Sequence, residues 1–116
     1  MSERKTSTET LGSFIQNMKD GIYWAGWNKR IELLRIGNML ERIFTPEDMK
    51  KTVKTEYIPS TSGYATNFCY IYDWKVTGIK ANEEKLKKEM DDIVMFGKHN
   101  PNIMNTNDGF TIRYKW

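Results

Sequence analysis

Leu11, Phe14, Ile15 and Met18 recur at the i, i+3, i+4, i+7 spacing that places them on one face of a helix. Ahead of them Thr6-Ser7-Thr8-Glu9 has the form of a capping box, and behind them Asp20-Gly21 supplies a left-handed stop. This pattern predicts a helix over about residues 8–19, preceded by a frayed tail at 1–5. From Ile22 to Asn28 the chain is aromatic-rich and alternating, as in a short strand. The stretch from Lys29 to Phe44 fits two patterns. Leu33, Ile36, Leu40, Ile43 and Phe44 make a helical face, sustained for more than two turns, which favours a helix. Ile31-Glu32-Leu33-Leu34-Arg35-Ile36 followed by Gly37-Asn38 also fits a strand ending in a turn.

Thr45-Pro46-Glu47-Asp48 is a helix start, with a capping hydroxyl, proline at the first helical position and two acids facing the helix dipole. A short helix to about Val53 follows from it. Ile58-Pro59-Ser60-Thr61-Ser62-Gly63 reads as a loop, because Pro59 lacks a ladder donor. Phe68, Tyr70, Tyr72, Trp74 and Val76 alternate with Cys69, Ile71, Asp73 and Lys75, a strand with one heavily aromatic face. Asn82 caps a helix to about Phe96, with Leu86, Met90, Ile93 and Val94 inward, Gly97 as its stop and Glu83–Lys87 and Glu84–Lys88 as outer i, i+4 pairs. Asn107-Asp108-Gly109 is a hairpin-type turn before a last strand in which Phe110, Ile112, Tyr114 and Trp116 share a face.

Helices and strands are interspersed without a βαβ rhythm. The expected class is α+β: a mainly antiparallel sheet, an N-terminal helix, and a longer C-terminal helix followed by a hairpin. At 116 residues a single domain over 6–116 is expected, with 82–116 as a C-terminal extension of its core. Apolar residues at 39% and charged residues at 28% exclude a disordered tail. No run approaches the roughly 20 apolar residues of a spanning helix, and no apolar segment follows the polar N-terminus, so a cytoplasmic, non-membrane protein is expected. The lone Cys69 allows no internal disulfide. The net charge of +3 is mild and dispersed, which disfavours a nucleic-acid binder.

Catalytic chemistry is thinly represented. His99 is the single histidine and sits beyond a helix end; Cys69 lies mid-strand among aromatics as a small core hydrophobe. One His and one Cys do not make a zinc site, and no phosphate-cradling glycine loop is present. No enzyme activity, metal or cofactor is therefore expected. The distinctive feature is aromatic: four Trp, six Tyr and five Phe, several beside Asn, Lys or Arg in Tyr23-Trp24-Ala25-Gly26-Trp27-Asn28-Lys29-Arg30 and in Tyr70-Ile71-Tyr72-Asp73-Trp74-Lys75. Rings beside cations suit a planar anionic ligand, and rings also fill cores and subunit interfaces.

Phe14-Ile15-Gln16-Asn17-Met18-Lys19-Asp20-Gly21 through Gly26-Trp27-Asn28, with Pro59-Ser60 and Asp73-Trp74-Lys75-Val76 further on, resembles the second class of phage Thoeris anti-defence proteins. The segment from Met39 to Glu56 departs from that family's run of short strands and glycine turns, and the chain after Thr77 would be an addition to it. The resemblance implies a strand over Lys29–Ile36 and an oligomeric, non-enzymatic sponge for a cyclic ADP-ribose-type signal. Tyr23, Trp27, Asn28, Arg30, Asp73 and Trp74 are the candidate ligand-binding residues. In that reading Trp27 stacks on a base or lines the pocket wall, Asn28 bonds ribose or base edges, Asp73 accepts from ribose hydroxyls, and Arg30 meets phosphate. A homo-oligomer acting in the host cytoplasm is expected. The alternative is a module that docks on a host protein through its aromatic patch, and the third a single-stranded nucleic-acid binder.

Overall fold

The computed structural model describes residues 5–21, 27–62, 69–93 and 100–115, with the side chains of 5, 27–30, 61–62 and 69 outside that description. In chain order the elements are β1 (Lys5–Thr10), α1 (Leu11–Lys19), α2 (Trp27–Ile43), α3 (Pro46–Met49), β2 (Thr52–Ser62), β3 (Cys69–Thr77), α4 (Glu83–Asp92), β4 (Asn102–Asn105) and β5 (Gly109–Lys115). The strands form one sheet in the order β1-β2-β3-β5-β4, antiparallel at every join. This is the α+β class that the pattern predicts.

The N-terminal hydroxyl run forms β1 instead of a capping box. Residues 5–10 pair with β2 from Lys5↔Tyr57 to Thr10↔Thr52, so the ladder satisfies their backbone and α1 begins at Leu11, not near residue 8. Thr10 is the cap, its hydroxyl accepting from the Ser13 amide at 3.1 Å. Glu9 does not reach back to a cap amide; it accepts from Asn17 and from the Thr55 hydroxyl. The helix face itself is as expected, with Leu11, Phe14, Ile15 and Met18 all buried and Gly21 at φ 74° closing the turn.

Over residues 29–43 the helix prevails, both over the alternative strand and over the strand that the family resemblance implies. Leu33, Ile36, Met39, Leu40 and Ile43 line up on its buried side against α1 and the sheet. Gly37 marks a close helix–helix approach, not a turn: a Cβ there would lie 2.4 Å from Lys19 Cγ. Trp27 and Asn28 open this helix, which corrects the strand expected to end at Asn28; residues 22–26 lie outside the described residues.

Thr45 and Asp48 do form a reciprocal capping box with Pro46 at the first position. The helix stops at Met49, however, because Val53, Thr55 and Tyr57 alternate into the core as part of β2. The predicted loop at Ile58–Gly63 is corrected too: β2 continues through Pro59 to Ser62. The Leu11 amide donates to the Lys51 carbonyl. By alternation, odd positions of β2 then direct their backbone groups toward β1, whose last pair is Lys5↔Tyr57. Pro59 sits one odd position further on, where the missing N–H breaks no ladder bond among the described residues.

Strand β3 keeps the expected alternation over Cys69–Thr77, with Tyr72, Trp74 and Val76 buried; Phe68 lies outside the described residues. Helix α4 is capped by Asn82 and ends at Asp92, four residues short of Phe96, because Ile93 turns to extended backbone. Leu86 is buried, and Met90 and Ile93 pack on the core as expected, while Val94 and Gly97 lie outside the described residues. No ion pair forms between Glu83 and Lys87 or between Glu84 and Lys88 among the described residues. Glu83 accepts instead from Asn105, whose amide also donates to the Ala81 carbonyl and accepts from the Ala81 N–H. Asn105→Ala strips these three bonds from the start of α4, and a loss of about 1–2 kcal/mol in urea unfolding is expected.

The closing hairpin is present, with the Thr106 amide donating to the Gly109 carbonyl. Gly109 is required by contact, not by a left-handed φ. A Cβ on it would lie 1.9 Å from the Val76 carbonyl oxygen of the adjoining strand. Trp116 lies outside the described residues. The helices and the inward rows of the sheet share one apolar cluster, in which Trp74, Tyr114, Phe14 and Phe110 are the largest enclosed side chains.

Candidate functional site

One face of the sheet carries the helices; the other is open among the described residues, and register decides which side chains meet there. Across β2, β3, β5 and β4 one row runs Ile58, Asp73, Arg113, Asn102, and the next Glu56, Lys75, Thr111, Met104. Asp73 and Arg113 stand directly opposite and form a two-pronged pair, Nε donating at 2.7 Å and Nη2 at 2.9 Å. This hydrogen bonding and the adjacent negative charge raise the Arg113 pKa further above its ordinary value. The pair borders a hollow of about 310 Å³ that also meets Ile58, Lys75, Asn102, Met104 and Thr111. Lys75 separates it from a second hollow of about 450 Å³ lined by Thr6, Thr8, Lys54, Glu56 and Thr77. Ammonium, guanidinium, amide and hydroxyl donors thus dominate the central part of the open face. Donors of this kind hold anionic oxygens.

The six candidate residues do not converge on one site. Asp73 reaches the open face. Its chain neighbour Trp74 points the other way, as strand alternation requires, and is 1% exposed. The indole stacks on Tyr57 at 5.3 Å between ring centroids and lies tilted against Tyr72. Trp74 is therefore enclosed in the core, while its position on the strand also borders the hollow beside Asp73. Tyr70 is the aromatic of this strand that reaches solvent, at the rim of the core side and stacked on Tyr72. Tyr23 lies outside the described residues, and so do the side chains of Trp27, Asn28 and Arg30 in the first turn of α2. Cys69 begins β3 with its side chain outside the description, and His99 is outside it altogether.

Two functional-looking groups escape a reading of the chain alone. Arg113 looks like any outward residue of a terminal strand until register sets it against Asp73. Glu32 occupies the apolar face of α2, four residues before Ile36, and is fully buried. Its carboxylate accepts from the Tyr114 hydroxyl at 2.7 Å, tying the first half of α2 to the end of β5. Burial first, and then the hydrogen bond to Glu32, push the Tyr114 phenol well above its usual range. The signal was a charged residue at a position where helical spacing demands an apolar one.

Among the described residues no cluster of His, Cys, Asp and Glu could hold a metal ion, and no helix is long and apolar enough to cross a membrane. No family model, curated protein or solved structure matches this chain.

Proposed function

We propose that the protein is a non-enzymatic binder of a small phosphorylated ligand of the nucleotide class, with the open sheet face around Asp73, Lys75 and Arg113 as its binding surface. The observation that carries this reading is the Asp73–Arg113 pair, fixed by register beside a hollow that Lys75, Asn102 and Thr111 also line. Lys75 and the outer edge of the guanidinium supply charge for phosphate. The Asp73 oxygens retain lone pairs that accept from ribose hydroxyls. The reading rests on this chemistry, not on base stacking by Trp74. The resemblance to the Thoeris anti-defence family supports the nucleotide class and a role as a phage-borne sponge in the host cytoplasm. The helix over Lys29–Ile36 removes its implied strand from the argument.

A second reading has a specific observation behind it. Met104 is 57% exposed on the same face, next in register to Thr111, and Ile58 and Ile71 are half-buried there. An exposed apolar side chain beside the Asp73–Arg113 pair suits docking on a host protein.

Thermal unfolding with adenine mononucleotides, ADP-ribose and cyclic ADP-ribose separates the two. The nucleotide reading expects at least one of them to raise Tm by several degrees at saturating concentration. Arg113→Ala should abolish that rise while leaving the ligand-free Tm nearly unchanged, because the pair is exposed. Unchanged Tm with every nucleotide, together with recovery of one host protein lost on Met104→Asp, establishes docking instead.

A further inference from the structure

The two edges of the sheet are not equivalent. On one side β4 has four residues, follows Pro101 and has Asn105 committed to Ala81 and Glu83. On the other, β1 has six residues and no proline. The Leu11-to-Lys51 hydrogen bond sets the alternation: Glu9 and Ser7, like Leu11, turn their backbone groups toward β2. Thr6 and Thr8 then direct their N–H and C=O groups outward, toward no strand among the described residues. An edge of this length without proline is a template for further pairing.

The sequence of β1 specifies what fits it. Lys5-Thr6-Ser7-Thr8-Glu9 is a palindrome about Ser7 in size, and is complementary in charge. Antiparallel pairing with itself about a two-fold axis at Ser7 sets Thr6 against Thr8 of the second copy, both with outward backbone groups. The same register sets the basic position 5 against the acidic position 9. A slip by two residues in either direction loses both charge matches. Glu9 supplies a second, independent observation. Its two oxygens accept only from the neutral Asn17 amide and Thr55 hydroxyl, and no cation among the described residues pairs with it. We infer that β1 joins β1 of a second copy of this chain edge to edge, so that two five-stranded sheets continue as one across a two-fold axis. This goes beyond the ligand reading and does not depend on it.

Sedimentation velocity of the full chain over a wide concentration range tests it. The expected result is a species of twice the 13.7 kDa chain mass, dissociating on dilution. Thr8→Pro removes an outward N–H without touching the β2 ladder, so it is expected to be monomeric with unchanged circular dichroism. A wild-type chain that stays monomeric up to the millimolar range overturns the inference, and so does a folded Thr8→Pro that remains dimeric. If Thr8→Pro fails to fold, hydrogen exchange of the wild type decides. Protection of the Thr6 and Thr8 amides must rise with protein concentration, and protection independent of concentration refutes the pairing.

Discussion

Trp74→Ala is expected to cost about 3–5 kcal/mol of stability, enough to leave a domain of this size barely folded. The indole is enclosed between the helices and the sheet, stacked on Tyr57 and touching Tyr72, so truncation removes its transfer energy and leaves a cavity that rigid neighbours close only in part. Urea unfolding measures the loss. The control is the next residue along the strand. Lys75 faces solvent on the opposite side, and Lys75→Ala should change stability by no more than about 0.5 kcal/mol. A Trp74→Ala chain as stable as wild type would mean that the ring is not core, and would return it to the list of ligand contacts.

The second large effect is at Tyr114. Tyr114→Phe takes a donor from the enclosed Glu32 carboxylate, and a loss of about 1–3 kcal/mol is expected at neutral pH. The same bond has a pH signature. Burial and the bond to Glu32 raise the folded phenol above its unfolded value of about 10. Below that value both states keep the proton and the contribution is complete. Above it the unfolded chain releases the proton first, binds fewer protons than the folded one, and stability falls as pH rises. Chemical unfolding between about pH 9 and about pH 11 should therefore fall more steeply for wild type than for Tyr114→Phe, the remaining tyrosines cancelling in the difference. Parallel pH curves for the two proteins would show that Tyr114 does not titrate differently on folding.

Both tests turn on residues whose faces were legible but whose partners were not. The alternation through Tyr70, Tyr72, Trp74 and Val76 announces a two-faced strand. Read along the chain, it also makes Asp73 and Trp74 look like neighbours in one site. Period-2 geometry sends them to opposite faces, so proximity in sequence here means separation in space. For Glu32 the helical spacing was readable, but nothing near it in the chain points to Tyr114, which lies 82 residues further on.

By itself the sequence determined what depends on local spacing and local caps: the buried face of α1, the Thr45 capping box, the Asn82 cap and the closing hairpin. Each needs only neighbours within about one turn to satisfy its backbone or sort its apolar side. The tertiary structure decided the rest. Thr6 to Glu9 read locally as a cap, and only the presence of β2 beside them makes residues 5–10 a strand. Pro59 reads as a breaker until it is found past the last described pair with β1, where no partner follows among the described residues. Asp73 and Arg113 become a pair only through register. Backbone hydrogen bonds between strands, and the charges they align, join residues tens of positions apart, and local periodicity carries no information about which of them will meet.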